Sequence, residues 1–234
     1  EELLILCLNL SKIPCQVVLS PLSTIVLCRD KSKTIQELKD IVPVPEIYPR
    51  LEDIEFFPAI IKPNDSRGSR DVFRVENKRE AKAIYEYLAS KLFTPWNLIF
   101  QEYLPGDEYT VDLVCDKKNR PLVIVPRLRL NTKGGISTVG RTVKDDQIVS
   151  LVEKIASKIP FYGPVNIQFK KDEFGEAKLL EINPRLSGGL PITWKSGVNL
   201  PLLTIKTAFS EEIDPQELLW QETFVYRYLE EGTV

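Results

Sequence analysis

The chain has 234 residues, of which 43% are hydrophobic and 27% charged, a composition typical of a globular protein with one large domain or two small ones. Its 31 basic and 33 acidic residues leave a formal net charge of −2, so the bulk charge gives no attraction to nucleic acid or to an anionic membrane. No apolar run reaches the length of a membrane span. We therefore expect neither nucleic acid nor a membrane as a partner.

The N-terminal sequence and the cysteines bear on location and redox state. EELLILCLNL lacks the basic flank and the cleavage site of a signal peptide, which predicts a cytoplasmic protein. No CxxC pair and no histidine occur, so we expect buried thiols rather than a zinc site or disulfides at Cys7, Cys15, Cys28 and Cys115. Methionine is also absent, which indicates either that residue 1 is not the native start or that modified residues are missing from the sequence.

The first half of the chain mixes predicted helices and strands. Short helical and strand-like apolar runs occupy residues 2–8 and 16–27, and RDKSKTIQELKDI predicts a loop that leads into a helix. The strand EFFPAIIKP, the polar loop NDSRGSRD and the strand VFRV form a hairpin pattern. A helix follows over residues 79–92, and LIFQEYLPG predicts a strand that runs into a turn.

The second half begins with a predicted hairpin, in which residues 109–115 alternate between a core face and a polar face and PLVIVPRLRL returns after the turn DKKN. The loop NTKGGISTVGRT leads to a helix that begins near Asp145. VNIQF and AKLLEI then flank the turn KDEFGE, and a last helix is predicted from Pro201 to Phe209. The order of elements predicts an α+β protein.

The stretch LLEINPRLSGG places several polar residues at the end of a predicted buried strand. Side chains alternate along a strand, so Glu181 and Asn183 share a face, and a turn of two or four residues places Gln168 of the preceding strand on that same face. Three side-chain oxygen donors at one end of a sheet suit a hard cation that also holds phosphate. Arg185 lies just beyond and could bind an anion bidentately. The alternative is an edge hairpin with a solvated polar face.

Two upstream stretches have the residue types of a nucleotide site. Lys62 ends the strand AIIKP, and the backbone amides of the next loop could cradle phosphates. That loop contains Ser66, Arg67, Gly68 and Ser69. In QEYLPGDEYTVD, Glu102 closes an apolar strand and Glu108 follows a Pro-Gly turn, so backbone groups could face an adenine edge and a carboxylate could face ribose hydroxyls. The alternatives are that the loop after Lys62 is an ordinary turn and that Glu102 and Glu108 are ordinary surface acids.

In this order, CRDKSKT, IIKPNDSRGSRDVF, QEYLPGDEYTVD, GPVNIQF and LLEINPRLSGG resemble the ATP-grasp superfamily, most closely its carbamoyl-phosphate synthase large-subunit-like branch. The resemblance implies an α+β fold in which two α+β subdomains grip the nucleotide. It assigns residues 1–28 to a remnant of a doubly wound N-terminal domain, 29–104 to the N-terminal subdomain, and 105–234 to the C-terminal subdomain with the metal site. It also implies ATP and two Mg²⁺ ions as cofactors, with Mn²⁺ as an alternative metal.

The resemblance further implies a role for each candidate residue. The nucleotide contacts are Lys31 and Lys62, the mobile phosphate loop Ser66, Arg67, Gly68 and Ser69, the adenine hinge Glu102, Tyr103 and Leu104, and the ribose acid Glu108. The metal ligands are Gln168, Glu181 and Asn183, and Asn183 also belongs to the catalytic set with Arg185, which stabilises the transferring phosphoryl group.

The implied activity is that of a ligase in which ATP activates a carboxylate or bicarbonate as an acyl phosphate for attack by an amine or ammonia. Phosphoryl transfer depends on positioning and charge neutralisation, so the lack of histidine is no objection. The local candidates to hold the acceptor carboxylate are Arg127, Arg129 and Arg141. The alternative is that these are solvated strand and loop arginines.

Other functions stay open at this point. A single unit favours a carboxylate–amine ligase over a complete synthase, but the chain could also be one piece of a split carbamoyl-phosphate synthase. A non-catalytic ATP-binding module and an enzyme that stops at the phosphorylated acceptor are further alternatives. The expected partners are small-molecule carboxylate and amine substrates, with a homo-oligomer or a separate N-terminal partner as open alternatives.

Overall fold

The computed structural model describes residues 2–64, 71–91, 97–228 and 230. The helices are α1 (Glu2–Leu8), α2 (Leu22–Arg29), α3 (Lys31–Leu38), α4 (Lys78–Lys91), α5 (Asp146–Lys158), α6 (Leu190–Lys195) and α7 (Leu200–Phe209). The strands are β1 (Ile47–Tyr48), β2 (Ala59–Pro63), β3 (Phe73–Val75), β4 (Leu98–Glu102), β5 (Glu108–Cys115), β6 (Pro121–Lys133), β7 (Ile136–Thr142), β8 (Gly163–Lys171), β9 (Ala177–Asn183) and β10 (Phe224–Tyr226). Within the described residues, no helix is both long and apolar enough to cross a membrane.

The strands form two antiparallel sheets that follow one another in the sequence. The small sheet has the order β1-β4-β2-β3, and the large sheet has the order β10-β7-β6-β5-β8-β9. In the small sheet, β2 and β3 pair as the predicted hairpin, with Ala59 opposite Val75. Helix α4 packs on this sheet and buries Ala81 and Leu88 against it. The predicted α+β architecture is confirmed.

One face of the large sheet carries the main core. Helix α5 begins at the predicted position, where the carboxylate of Asp145 caps it by accepting a hydrogen bond from the Ile148 amide at 3.1 Å. Its apolar stripe packs on the alternate residues Val111 and Leu113 of β5. The other face of β5 is covered at one end by α7, which buries Leu203 next to Val114. The remaining part of that second face lies opposite the small sheet and forms the wall of a cavity.

Helices α2 and α3 pack on the large sheet, although the sequence assigned α3 to the N-terminal subdomain. Asp30 caps α3 by accepting a hydrogen bond from the Lys33 amide at 3.0 Å. Leu38 of α3 and Cys28 of α2 are buried in the main core, and both helices contact β9. Apolar burial thus places this segment against the C-terminal sheet, while the predicted boundary at residue 104 falls between β4 and β5.

Three local expectations were wrong. NTKGGISTVGRT is not a loop, because β6 extends to Lys133 and Ile136–Thr142 forms β7, leaving a turn at Gly134 and Gly135, both with positive φ. The strand-like run from residue 16 forms no strand before α2 begins. The thiols are not all buried: Cys28 and Cys115 are buried and Cys7 is half-buried, but Cys15 is exposed.

Candidate active site

A cavity of about 490 Å³ lies between the two sheets. Residues of β2 and β4 line it from the small sheet, and residues of β5, β6, β8 and β9 line it from the large sheet. The β6–β7 turn and residues 185–189 close one end, which we call the acceptor end. Most of the candidate residues predicted from sequence line this single cavity.

Two of the predicted metal ligands, Gln168 and Glu181, line the cavity from the β8–β9 hairpin, whereas Asn183 is not among the lining residues and reaches the site only through its contact with Glu181. Gln168 is paired with Glu181, and Asn183 follows two positions later on the same strand. The predicted shared face is confirmed, but for a different reason. The turn between β8 and β9 contains five residues, 172–176. A turn of that length alone would pair even-numbered residues of β8 with even-numbered residues of β9, so that Gln168 would lie opposite Leu180. A bulge at Leu180 shifts the register by one residue and places Gln168 opposite Glu181. The bulge therefore turns both Leu180 and Glu181 toward the cavity.

The three ligand candidates suit a magnesium ion in the type of their donor atoms. The Glu181 carboxylate accepts a hydrogen bond from the Asn183 amide at 2.9 Å, so rotation of that amide would place its oxygen beside the carboxylate. Mg²⁺ binds oxygen ligands and keeps several positions for water and substrate phosphates. Among the described residues, no group of three His, Cys, Asp or Glu side chains could hold a metal, so this set depends on one carboxylate and two amides.

Two lysines place positive charge beside this hairpin. The Lys31 ammonium lies 3.8 Å from a Glu181 oxygen and donates to the Asn64 carbonyl at 3.1 Å. Lys62 is buried and donates to the Gln101 amide oxygen at 2.7 Å. Burial lowers the pKa of Lys62 to about 8, the charge of Lys31 adds to the shift, and Glu181 and Glu108 oppose it. A bound polyphosphate would favour the charged form of Lys62.

The predicted adenine hinge lies at the end of β4. Gln101, Tyr103 and Leu104 line the cavity, and Leu104 is buried. The Glu102 side chain does not line it: the carboxylate faces the opposite side of the strand, where it accepts a hydrogen bond from the Lys178 ammonium at 2.7 Å. Glu102 can therefore contribute to the cavity only through its backbone.

The predicted ribose acid is paired with an arginine. The Glu108 carboxylate lines the cavity and accepts a hydrogen bond from Arg129. A second nitrogen of the same guanidinium donates to the Gly135 carbonyl at 2.8 Å, and Nε is buried without a hydrogen-bond partner. Arg129 thus connects the acid to the β6–β7 turn at the acceptor end.

A buried charge network that the sequence analysis missed lies beneath the acceptor end. Asp112 accepts hydrogen bonds from Arg127 Nε at 2.8 Å, from the Thr193 hydroxyl at 2.6 Å, and from the Asn166 amide at 3.0 Å. Arg127 also donates to the Ser187 hydroxyl at 3.0 Å. Burial alone would raise the pKa of the Asp112 carboxyl, but the Arg127 charge and these hydrogen bonds outweigh it and lower the pKa.

One signal in the sequence could have revealed this network. Asp112 is the only acid within the buried stretch YTVDLVC, and an ionised carboxylate in such a strand requires a partner. The sequence does not identify that partner, because Arg127 becomes its neighbour only through the pairing of β5 with β6.

The glycine pair after the hairpin has a packing reason. A Cβ atom at Gly189 would lie 2.7 Å from Arg127 Nη1, and one at Gly188 would lie 3.1 Å from the Ile136 side chain. The chain therefore passes directly over the guanidinium. Arg185, at the cavity rim, is exposed and donates to the Leu186 carbonyl at 2.9 Å.

Besides the Glu102 side chain and Asn183, two further sets of predicted residues are not placed in the cavity. Arg141 is exposed on β7, where it is paired with Leu128 and Phe224, and it does not line the cavity. The β7 register turns Arg141 away from the cavity, so its position gives no support to the predicted role as an acceptor ligand. The predicted phosphate loop, Ser66, Arg67, Gly68 and Ser69, lies outside the described residues.

Comparisons with known proteins give one family and several structural relatives. The family described as "ATP-grasp in the biosynthetic pathway with Ter operon" matches residues 94–231. The D-alanine–D-alanine ligase of Fusobacterium nucleatum subsp. nucleatum is 31% identical over 172 residues, which cover 69% of this chain and 57% of that relative. The chain thus spans little more than half the length of this relative.

Two solved structures are similar in fold. Carboxyaminoimidazole ribonucleotide synthase from Aspergillus clavatus, complexed with ATP, has a TM-score of 0.74 at 14% identity, covering 94% of this chain and 60% of that one. The biotin carboxylase domain of Hydrogenobacter thermophilus 2-oxoglutarate carboxylase, in complex with MgADP and bicarbonate, has a TM-score of 0.72 at 21% identity, covering 86% of this chain and 50% of that one. The arrangement of the two antiparallel sheets is that of these proteins.

Proposed function

The chain belongs to the ATP-grasp family, and we propose that it binds ATP and Mg²⁺ in the cavity between the sheets and uses them to activate a carboxylate for attack by an amine. The observation that supports this most directly is the convergence of Gln168 and Glu181 with Lys31 and Lys62 in one cavity. An oxygen donor set opposite two ammonium groups matches the needs of a metal-bound polyphosphate.

The nucleotide would lie along the cavity from the hinge to the β8–β9 hairpin. The backbone of residues 102–104 would face adenine, and the Glu108 carboxylate would face the ribose hydroxyls. Lys31 and Lys62 would contact the phosphates, and Gln168 and Glu181 would hold the metal with Asn183. When bound, Mg²⁺ would neutralise charge on the phosphate oxygens.

The proposed reaction has two steps. A carboxylate oxygen attacks the γ-phosphorus of ATP, the bond to the β–γ bridging oxygen breaks, and ADP leaves with its electron pair. The amine nitrogen then attacks the acyl carbon, the bond from that carbon to the phosphate oxygen breaks, and the amine loses a proton as phosphate leaves. The chain's residues would act by positioning and charge stabilisation, with Arg185 at the rim next to the transferring group.

The acceptor end has the charge needed to hold a carboxylate. Arg127 and Arg129 line it, and each has a buried guanidinium nitrogen without a hydrogen-bond partner. Buried polar groups normally have partners, so an acceptor carboxylate or bicarbonate would satisfy this potential. The relatives include a D-alanine–D-alanine ligase, which supports carboxylate–amine ligation over the carbamoyl-phosphate synthase branch suggested by the motifs.

The proposal is tested by ADP release from the full chain with ATP, Mg²⁺ and a panel of carboxylates and amines. We expect release to depend on both substrates and to be lost in Glu181→Gln. The matched control is Glu173→Gln, an exposed acid in the turn of the same hairpin, which should leave the rate unchanged. If no acceptor stimulates ADP release, the ligase proposal is wrong.

A non-catalytic ATP-binding module is the second candidate. The presence of a single carboxylate among the three metal-ligand candidates supports it, because a weaker metal site would reduce turnover before it reduced nucleotide binding. This candidate predicts that ATP binding persists in Glu181→Gln and that no acceptor changes the rate of ADP release. If ADP release requires a second protein chain, the result would instead favour the alternative that this chain is one piece of a split synthase.

A further inference from the structure

The carboxylate of Glu102 is held on the side of β4 that faces away from the cavity. It accepts one hydrogen bond from the Glu46 backbone amide at 2.9 Å and one from the Lys178 ammonium at 2.7 Å. Lys178 belongs to β9 of the large sheet, and its ammonium also lies 3.7 Å from the Asp172 carboxylate. One lysine of the large sheet therefore tethers the last residue of a small-sheet strand.

This tether contacts the hinge segment, residues 102–104, on the side of β4 that faces away from the cavity. Tyr103 and Leu104 line the cavity while the Glu102 side chain points the other way. The Lys178 and Glu102 side chains are 17% and 24% exposed, so water screens their attraction only in part. The Glu102 backbone amide also donates to the Glu46 carbonyl at 3.0 Å, so backbone and side chain together fix the residue from which the hinge segment starts.

We propose that Lys178 is a positioning residue that sets the selectivity for adenine over guanine by holding the hinge segment through Glu102. The inference rests on the proposed ATP site. Adenine presents an amino donor at position 6, where guanine presents a carbonyl acceptor. A hinge held in one orientation offers a fixed set of backbone donors and acceptors to the base, whereas a hinge that can rotate accommodates either base with less discrimination.

The test measures dissociation constants of ATP, adenosine and GTP for the full chain by calorimetry. In Lys178→Met we expect ATP and adenosine each to bind about tenfold more weakly, while the affinity for GTP stays nearly unchanged. Glu102→Gln should show the same pattern, and Lys178→Arg should restore most of the selectivity because it keeps the charge.

Lys206→Met is the matched control. The Lys206–Glu217 pair is 22% and 27% exposed, close to the Lys178–Glu102 pair, but it joins α7 to the 3₁₀ turn at residues 215–218, remote from the hinge. Its removal should leave the ratio of ATP to GTP affinity unchanged. Thermal unfolding of each variant shows whether a lost ion pair merely destabilises the fold.

The outcomes separate this inference from the proposed function. If the wild-type chain binds ATP and Lys178→Met changes the affinity for neither ATP nor GTP, the inference is wrong and the nucleotide site stands. An equal weakening of ATP and GTP would also overturn it, because that is the result of a structural role alone. If the wild-type chain binds no ATP, the proposed function fails and the inference fails with it.

Discussion

The substitution Asp112→Asn tests whether the floor of the acceptor end depends on a buried charge pair. Asp112 and Arg127 are joined at 2.8 Å, and their side chains are 2% and 1% exposed. Water therefore cannot solvate the guanidinium once the carboxylate is gone, and removing one partner of a buried pair costs about 3–5 kcal/mol. Since Arg127 already has one nitrogen without a partner, we expect a loss in the free energy of unfolding in that range.

Urea denaturation followed by circular dichroism measures this loss, and Glu37→Gln is the control. The Glu37–Lys158 pair has side chains that are about half exposed, so its removal should cost about 0–1 kcal/mol. The double variant Asp112→Leu/Arg127→Met should be more stable than Asp112→Asn, because it leaves no unpaired charge. A loss below about 1 kcal/mol in Asp112→Asn, or a less stable double variant, would refute the reasoning.

Three further predictions follow from single observations. Burial lowers the pKa of Lys62 to about 8, so this lysine is charged below that pH and loses its charge above it. The affinity for ATP should therefore fall as the pH rises through about 8. Calorimetry near this pH should show proton uptake when ATP binds, and Lys62→Met should abolish that uptake. Gly189→Ala should reduce the free energy of unfolding by about 1–3 kcal/mol, since its Cβ would lie 2.7 Å from a held guanidinium; an unchanged urea midpoint would contradict this. When the native chain is labelled with a thiol reagent, the exposed Cys15 should react quickly. Cys28 and Cys115 are buried, and burial raises the pKa of each thiol to about 12, so these two should react only after the chain unfolds.

The β8–β9 hairpin illustrates how far pattern reasoning reached. Alternation of side chains correctly predicted that Glu181 and Asn183 share a face, because that property depends only on the local backbone. The position of Gln168 opposite Glu181 depends on the turn length and on the bulge at Leu180, and the assumed turn length was wrong. The prediction of the shared face held because the bulge compensates for the longer turn.

The arginines show where pattern reasoning ends. Arg127, Arg129 and Arg141 were equivalent candidates in the sequence, since residue type and a strand or loop position were the available criteria. In the structure, Asp112 holds the first, Glu108 pairs with the second, and the third faces away from the cavity. These differences arise from register and partners contributed by distant strands.

The sequence by itself determined the class of the protein and most of the candidate residues of the site, because the strand periodicity, the helix start near Asp145 and the order of the motifs are local properties of the chain. Tertiary structure alone decided which side chains meet. The packing of α2 and α3 on the large sheet, the Asp112–Arg127 network and the Lys178–Glu102 tether join residues 15 to about 150 positions apart. Such contacts depend on how the sheets pair and pack, and their geometry is set by burial and register rather than by neighbouring residues in the sequence.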